Sequence, residues 1–136
     1  MAKQILVAQD NAEDAEEILR VLREARRTNP VVTVKDGEET LEYLKGRGQF
    51  ADREKFPLPS VLFLDLKMPR RNGLEVLEWL ARKPHLKNML IVAVSGHDIP
   101  TDTALAYRLG AHTFLNKPVR AEDITRLTNG FYKYWA

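Results

Sequence analysis

The chain has 136 residues, with 21 Lys or Arg against 19 Asp or Glu and no Cys. This length is typical of one domain, and the lack of Cys excludes a disulfide scaffold, thiol catalysis and Cys-ligated zinc. The near balance of charge gives no indication of nucleic-acid binding. Apolar runs are far shorter than the ~20 residues of a membrane span. Because the N-terminus runs directly into a strand pattern with no signal peptide, we expect a cytoplasmic protein.

Strand and helix patterns alternate along the chain. Short apolar runs predict five strands, and the apolar residues between them recur at helical spacing. This alternation predicts an α/β fold, a doubly wound five-stranded parallel sheet with helices on both faces. In chain order, the predicted strands are 5–8, 31–34, 60–64, 89–94 and 112–115, and the predicted helices span 15–25, 37–46, 74–81, 103–109 and 124–134.

Turn and cap residues separate these elements. Asn11 or Asp10 can cap the first helix with its side-chain oxygen, and Gly110 can end the fourth in the left-handed conformation. The segment 47–59 contains two Pro and five charged residues and is predicted to be an extended surface loop. We therefore expect a single domain over 1–136, with no output domain.

Four polar residues each follow a predicted strand, namely Asp10, Asp65, Ser95 and Lys117. The carboxyl ends of parallel strands share one edge, so we expect these side chains to lie together. Two carboxylates can hold Mg²⁺, and a lysine and a hydroxyl can bind phosphoryl oxygens. A carboxylate can also attack phosphorus and form an acyl phosphate. Taken singly, Asp10 could instead be a helix cap and Ser95 a plain turn residue.

Three features occur together in this chain: the segment Leu64-Asp65-Leu66-Lys67-Met68-Pro69 with Gly73, the Ser95 hydroxyl, and Lys117-Pro118. In combination they resemble the receiver domain of two-component response regulators, a flavodoxin-like fold, over essentially the whole chain. The long loop 47–59 and the aromatic C-terminal segment are similar to single-domain response regulators that partner phytochrome-type histidine kinases.

The resemblance implies roles for the residues at the strand ends. Asp65 would accept a phosphoryl group from a kinase phosphohistidine, and Lys117 would pair with the phosphoryl oxygens. The bond between Lys117 and Pro118 would be cis. Mg²⁺ would be bound by Asp10, by Asp65 and by the backbone carbonyl of Lys67.

Further roles and departures follow from the same resemblance. Ser95 would turn toward the phosphoryl group, and Phe114 would rotate inward with it as the second switch residue. Lys67 and His97, each two residues after a site residue, would flank the phosphoryl site. Gln9 stands where the family usually has the first of two acids. Its amide could contact the metal through water, but we expect weaker Mg²⁺ binding than an acid would give.

These residues also bear on other possible functions. A phosphohydrolase of the haloacid dehalogenase type needs a second acid two residues after its nucleophile, and Lys67 stands there. No Walker A pattern is present for a nucleotide. A degenerate receiver, acting as a phosphorylation-independent interaction module, stays open because of Gln9. For the receiver we expect no enzyme activity beyond assisting its own phosphotransfer and autodephosphorylation.

The expected partners are a sensor histidine kinase, of phytochrome type on the resemblance, or a phosphotransfer protein, and a downstream protein target. Direct DNA binding and membrane binding are not expected. Four aromatic residues crowd the end of the last predicted helix and the residue after it, which suggests a partner or homodimer surface. An alternative of equal weight is that they fold onto the core. These residues are Phe131, Tyr132, Tyr134 and Trp135.

Overall fold

The computed structural model describes residues 3–96 and 100–135. Its five strands are all parallel and form one sheet in the order β2-β1-β3-β4-β5, which confirms the predicted fold class. The strands are β1 (Ile5–Ala8), β2 (Val31–Val34), β3 (Val61–Asp65), β4 (Leu90–Ser95) and β5 (Thr113–Asn116). The helices are α1 (Ala12–Glu24), α2 (Gly37–Lys45), α3 (Gly73–Ala81), α4 (Pro100–Arg108) and α5 (Ala121–Gly130). Among the described residues, no helix has the length and apolarity that crossing a bilayer requires.

The three inner strands β1, β3 and β4 are buried along their whole length. Helices cover both faces of the sheet, so these strands are continuous apolar runs without polar alternation. Successive side chains point to opposite faces and divide the core in two. α1 and α5 pack on one face, and α2, α3 and α4 pack on the other.

The chain changes direction along the sheet between β1 and β3. β2 lies on one side of β1 and β3 on the other, so the connections that leave these two strands diverge. Open α/β sheets bind ligands in the crevice at this switch point, outside the carboxyl ends of the strands. The loops after β1 and β3 are therefore the place to look for a site.

Side chains and glycine fix the helix ends. Asn11, one of the two predicted candidates, caps α1 by accepting the Asp14 N–H at 3.0 Å. Asp36 caps α2 through the Glu39 N–H at 2.7 Å. At its other end α2 stops at Gly46, whose φ of 70° is the left-handed conformation that favours glycine.

The loop between β3 and α3 is attached to the start of α2. The Arg70 carbonyl accepts the Glu38 N–H at 2.9 Å, which satisfies one of the free donors at that helix end. The backbones approach so closely that a β-carbon on Gly37 would lie 1.9 Å from the Arg71 carbonyl oxygen. α2 thereby fixes the loop that follows Asp65.

The segment 47–59 is an irregular loop, as predicted, but it is packed and not extended. Phe50, in a short 3-10 turn, is buried beside Tyr43, with ring centroids 4.9 Å apart. The Arg53 guanidinium donates to the carbonyls of Tyr43, Leu44 and Phe56 at 2.8–3.1 Å. The other four charged residues of the segment are exposed, as expected of a surface loop, and Arg53 alone turns inward to the carbonyls at the end of α2.

The last helix is shorter than predicted, since α5 ends at Gly130 and a 3-10 turn follows. Glycine is a poor helix residue, so a helix of this length ends there easily. Trp135 is buried against Phe63, whereas Tyr132 is 66% exposed. Most of the aromatic segment thus folds onto the core, and the surface suggested for a partner is reduced mainly to Tyr132.

Gly73 fixes the backbone next to Asp65. A β-carbon here would lie 2.4 Å from the Asp65 carbonyl oxygen and 2.7 Å from the Leu66 Cα. Because both are backbone atoms, we expect Gly73→Ala to lower the free energy of unfolding by about 2–3 kcal/mol. Gly130→Ala is the control, since its β-carbon would meet open space and should change stability by less than about 1 kcal/mol. Urea unfolding measures both, and equal stabilities would contradict the clash.

Candidate functional site

The Asp65 side chain lies at the end of β3 and is 3% exposed. An ionised carboxylate removed from water requires a cation and hydrogen bonds. Asp65 has both, because its Oδ2 lies 2.7 Å from the Lys117 Nζ and its Oδ1 accepts the Lys67 N–H at 2.8 Å. The fold therefore places one charged carboxylate at the switch point of the sheet.

Lys117 reaches Asp65 from the loop after β5. Its backbone N–H donates to the Ser95 carbonyl at 2.9 Å, and its Nζ also lies 2.9 Å from Asp14 Oδ2. Burial by itself lowers the pKa of Lys117, but the hydrogen bonds and charges of Asp65 and Asp14 outweigh it and raise the pKa above 10.5. The side chain is thus a firmly charged ammonium between two carboxylates. The bond to Pro118 is cis, as the resemblance implied.

Asp10 lies at the same edge, on the neighbouring strand connection. It follows Ala8 by two residues, and Ala8 pairs with Leu64 in the register of β1 and β3. Its side chain is exposed. Asp10, Asp65 and the Lys67 carbonyl, the ligands that the resemblance implies, are all oxygen donors, which suit a hard cation.

Metal binding here would depend on few protein ligands. Within the described residues, no three His, Cys, Asp or Glu side chains cluster as a metal site. Mg²⁺ is commonly bound by one or two carboxylates and completes its shell with waters and phosphate oxygens. The donors at this edge therefore fit Mg²⁺ in the presence of a phosphoryl group.

Gln9 is buried immediately before Asp10, with 4% of its surface exposed. Its Oε1 accepts the Asn11 N–H at 3.3 Å. Its Nε2 is buried without a hydrogen-bond partner among the described residues. An amide nitrogen has no free lone pair for a metal, so only the oxygen, already used by Asn11, could act through water. The water-mediated role of Gln9 stays a prediction.

The two predicted switch residues lie on neighbouring strands. Ser95 ends β4 and is buried, one residue after Val94, which pairs with Asp65. Phe114 lies on β5 and is partly buried. It packs against the core on the face of the sheet that α2, α3 and α4 cover. Their switching roles stay predictions, as does the flanking role of the exposed Lys67. His97 lies outside the described residues.

Asp14 is the site residue that the sequence analysis missed. It lies in the first turn of α1, four residues after Asp10, and binds Lys117 across the site. A helix that follows a parallel strand begins at the carboxyl edge of the sheet, so its first-turn acids face the same crevice. That placement is the signal that could have identified Asp14.

Comparison with known proteins finds related sequences and structures. The model of the response regulator receiver domain matches residues 5–129. Response regulator Rcp1 of Synechocystis sp. is 26% identical over 133 residues, which cover 98% of this chain and 88% of Rcp1, and a solved structure of Rcp1 is its Mn²⁺-bound form. The bacteriophytochrome response regulator RtBRR has a TM-score of 0.87 and 33% identity, covering 100% of this chain and 81% of RtBRR. The phosphorylated cyanobacterial phytochrome response regulator RcpA has a TM-score of 0.81 and 28% identity, covering 99% and 94%.

The contact between Lys117 and Asp65 predicts a strong energetic coupling. Lys117→Met leaves a buried carboxylate without its cation, so we expect the free energy of unfolding to fall by about 2–3 kcal/mol near pH 7. In an Asp65→Asn background the same change should cost less than about 1 kcal/mol, because no charge is stranded. Urea unfolding of the four proteins measures the cycle, and additive effects would contradict the coupling.

The cycle also has a defined pH dependence. The folded-state pKa of Lys117 is raised above its ordinary value of 10.5. Its stabilising contribution is therefore complete below that ordinary value, and it is lost as the pH rises through the folded-state pKa. The stability difference between wild type and Lys117→Met should shrink in that alkaline window and stay constant between pH 7 and 9.

Proposed function

Since the chain belongs to the response regulator receiver family, we propose that it accepts a phosphoryl group on Asp65 from the phosphohistidine of a histidine kinase. One observation carries this proposal. The buried Asp65 carboxylate lies at the switch point of the sheet with the Lys117 ammonium 2.7 Å from one oxygen. The nucleophile thus already lies beside the cation that would stabilise the phosphorylated product.

The transfer is a displacement at phosphorus. An Asp65 carboxylate oxygen attacks the phosphorus, the N–P bond of the phosphohistidine breaks, and its electron pair returns to the imidazole nitrogen. The product is an acyl phosphate on Asp65. Because Lys117 is already held beside the carboxylate, its charge can stabilise the negative oxygens without a large rearrangement.

We propose Mg²⁺ as the metal, held by Asp10, Asp65 and the Lys67 carbonyl. When bound, it neutralises charge on the phosphoryl oxygens. The oxygen-only donor set supports this assignment, and Rcp1, a relative, has been solved with Mn²⁺. The alternative function, a degenerate receiver that is not phosphorylated, rests only on Gln9. Gln9 lies beside the three proposed metal ligands and replaces none of them.

The kinase partner we propose is of phytochrome type, which the names of RtBRR and RcpA support. For the output we propose the surface of α4, β5 and α5, which flanks Ser95 and Phe114. Leu105 and Tyr107 on α4 are exposed there, 36% and 46%. A downstream protein or a second copy of the chain would meet this face.

Asp65→Asn should abolish phosphoryl labelling, because the amide is a far poorer nucleophile than the carboxylate. The measurement is intact mass after incubation with Mg²⁺ and phosphoramidate, and separately with a phosphorylated kinase. Asp52→Asn, on the exposed part of the loop 47–59, is the control and should be labelled like wild type. Undiminished labelling of Asp65→Asn would exclude Asp65 as the acceptor.

Compared with an acid at the same position, Gln9 should weaken Mg²⁺ binding and reduce the repulsion between carboxylates in the metal-free protein. A Gln9→Asp variant adds an anion to the buried edge that holds Asp65. We expect it to bind Mg²⁺ severalfold more tightly and, in chelator, to be about 1–2 kcal/mol less stable. Calorimetric titration and thermal unfolding test the two effects. Equal Mg²⁺ affinity would show that Gln9 has no part in metal binding.

A further inference from the structure

A continuous set of polar contacts joins the start of α1 to the loop after β3. The Asn11 side chain accepts the Asp14 N–H, and the Asp14 carboxylate binds the Lys117 Nζ. The same Nζ binds Asp65 Oδ2, and Asp65 Oδ1 accepts the Lys67 N–H. Lys117 is the one cation in this set, and it is shared between two carboxylates.

We propose that Asp14 is a positioning residue of the unphosphorylated state, which holds the Lys117 ammonium and competes for it with the phosphoryl group on Asp65. The proposal rests on the proposed function of Asp65 as phosphoacceptor. Asp14 itself touches no reacting atom in this arrangement. It acts through Lys117, whose position decides how much positive charge the phosphoryl oxygens receive.

The two carboxylates differ in how easily they release the lysine. The Asp65 side chain is 3% exposed and the Asp14 side chain 41% exposed. Water can therefore replace Lys117 at Asp14 at little cost, but not at Asp65. Phosphorylation replaces the single charge of the Asp65 carboxylate with an acyl phosphate that carries about two negative charges, and it draws the ammonium toward them. The contact that yields is the one to Asp14.

The surroundings of Asp14 favour this role. A cavity of about 290 Å³ opens beside it, lined among others by Gln9, Glu17 and Lys117. The neutral amide of Gln9 adds no charge to this cavity. Glu17 contributes a second carboxylate, but it pairs with Arg20 at 2.9 Å. Asp14 is the acid of this cavity that binds the lysine, and Glu17 is a matched control of equal charge.

The test measures binding of beryllofluoride, a phosphoryl mimic, by calorimetry in the presence of Mg²⁺. Asp14→Asn removes the competing charge and should bind about two- to fivefold more tightly than wild type, the range expected for a partly exposed ion pair. Glu17→Gln should match wild type within experimental error, because it removes the same charge without freeing Lys117. Asp14→Glu restores the carboxylate and should return toward wild-type affinity.

Amide NMR spectra give a second readout. In wild type and Glu17→Gln, beryllofluoride should shift the Asn11 and Asp14 amides, because Lys117 leaves the first turn of α1. In Asp14→Asn these shifts should be much smaller. Unchanged or weaker binding by Asp14→Asn, or an equal gain in Glu17→Gln, would overturn the role of Asp14. If wild type binds no beryllofluoride, or Asp65→Asn still binds it, the proposed function of Asp65 fails instead.

Discussion

The structure depends on keeping one ionised carboxylate charged at the end of a buried strand. Asp65 follows four buried apolar residues and has almost no access to water. Without partners, a buried carboxylate would lose its hydration with nothing to replace it, at a high cost in free energy. Lys117 supplies the cation, and the Lys67 N–H supplies a hydrogen bond. The two partners come from different loops, so the order of strands in the sheet brings them together.

Neighbouring elements hold those loops in place. Gly73 lets α3 begin against the backbone of Asp65. Gly37 lets α2 begin against the loop between β3 and α3. The Lys117 backbone is bound to the carbonyl of Ser95, the last residue of β4. The Asp65 carboxylate is therefore positioned by backbone contacts on three sides.

The sequence predicted those parts that local patterns control. β1 and β2 have the predicted bounds, and the bounds of β3, β4 and β5 differ by about one residue, because apolar runs between turn residues permit few other structures. Long-range packing decided the rest. Arg53 bonds to the end of α2, and Trp135 packs on Phe63, 72 positions earlier (135 − 63). The contact of Asp14 with Lys117 also joins residues far apart in the chain, 103 positions, although the place of Asp14 in the first turn of α1 is a local signal for it.

The position of Lys117 links two sides of the domain. Through its backbone it is joined to β4 and the predicted switch residue Ser95, and through its ammonium to Asp65 and the first turn of α1. Under the proposed function, a phosphoryl group on Asp65 would act on this cation and so on both sides. The α1 side is bonded through Asp14 and Asn11, whose contacts are short and local. Under the proposed function, a phosphoryl group on Asp65 would therefore affect α1 through the Lys117 ammonium, and β4 through the backbone of the same lysine.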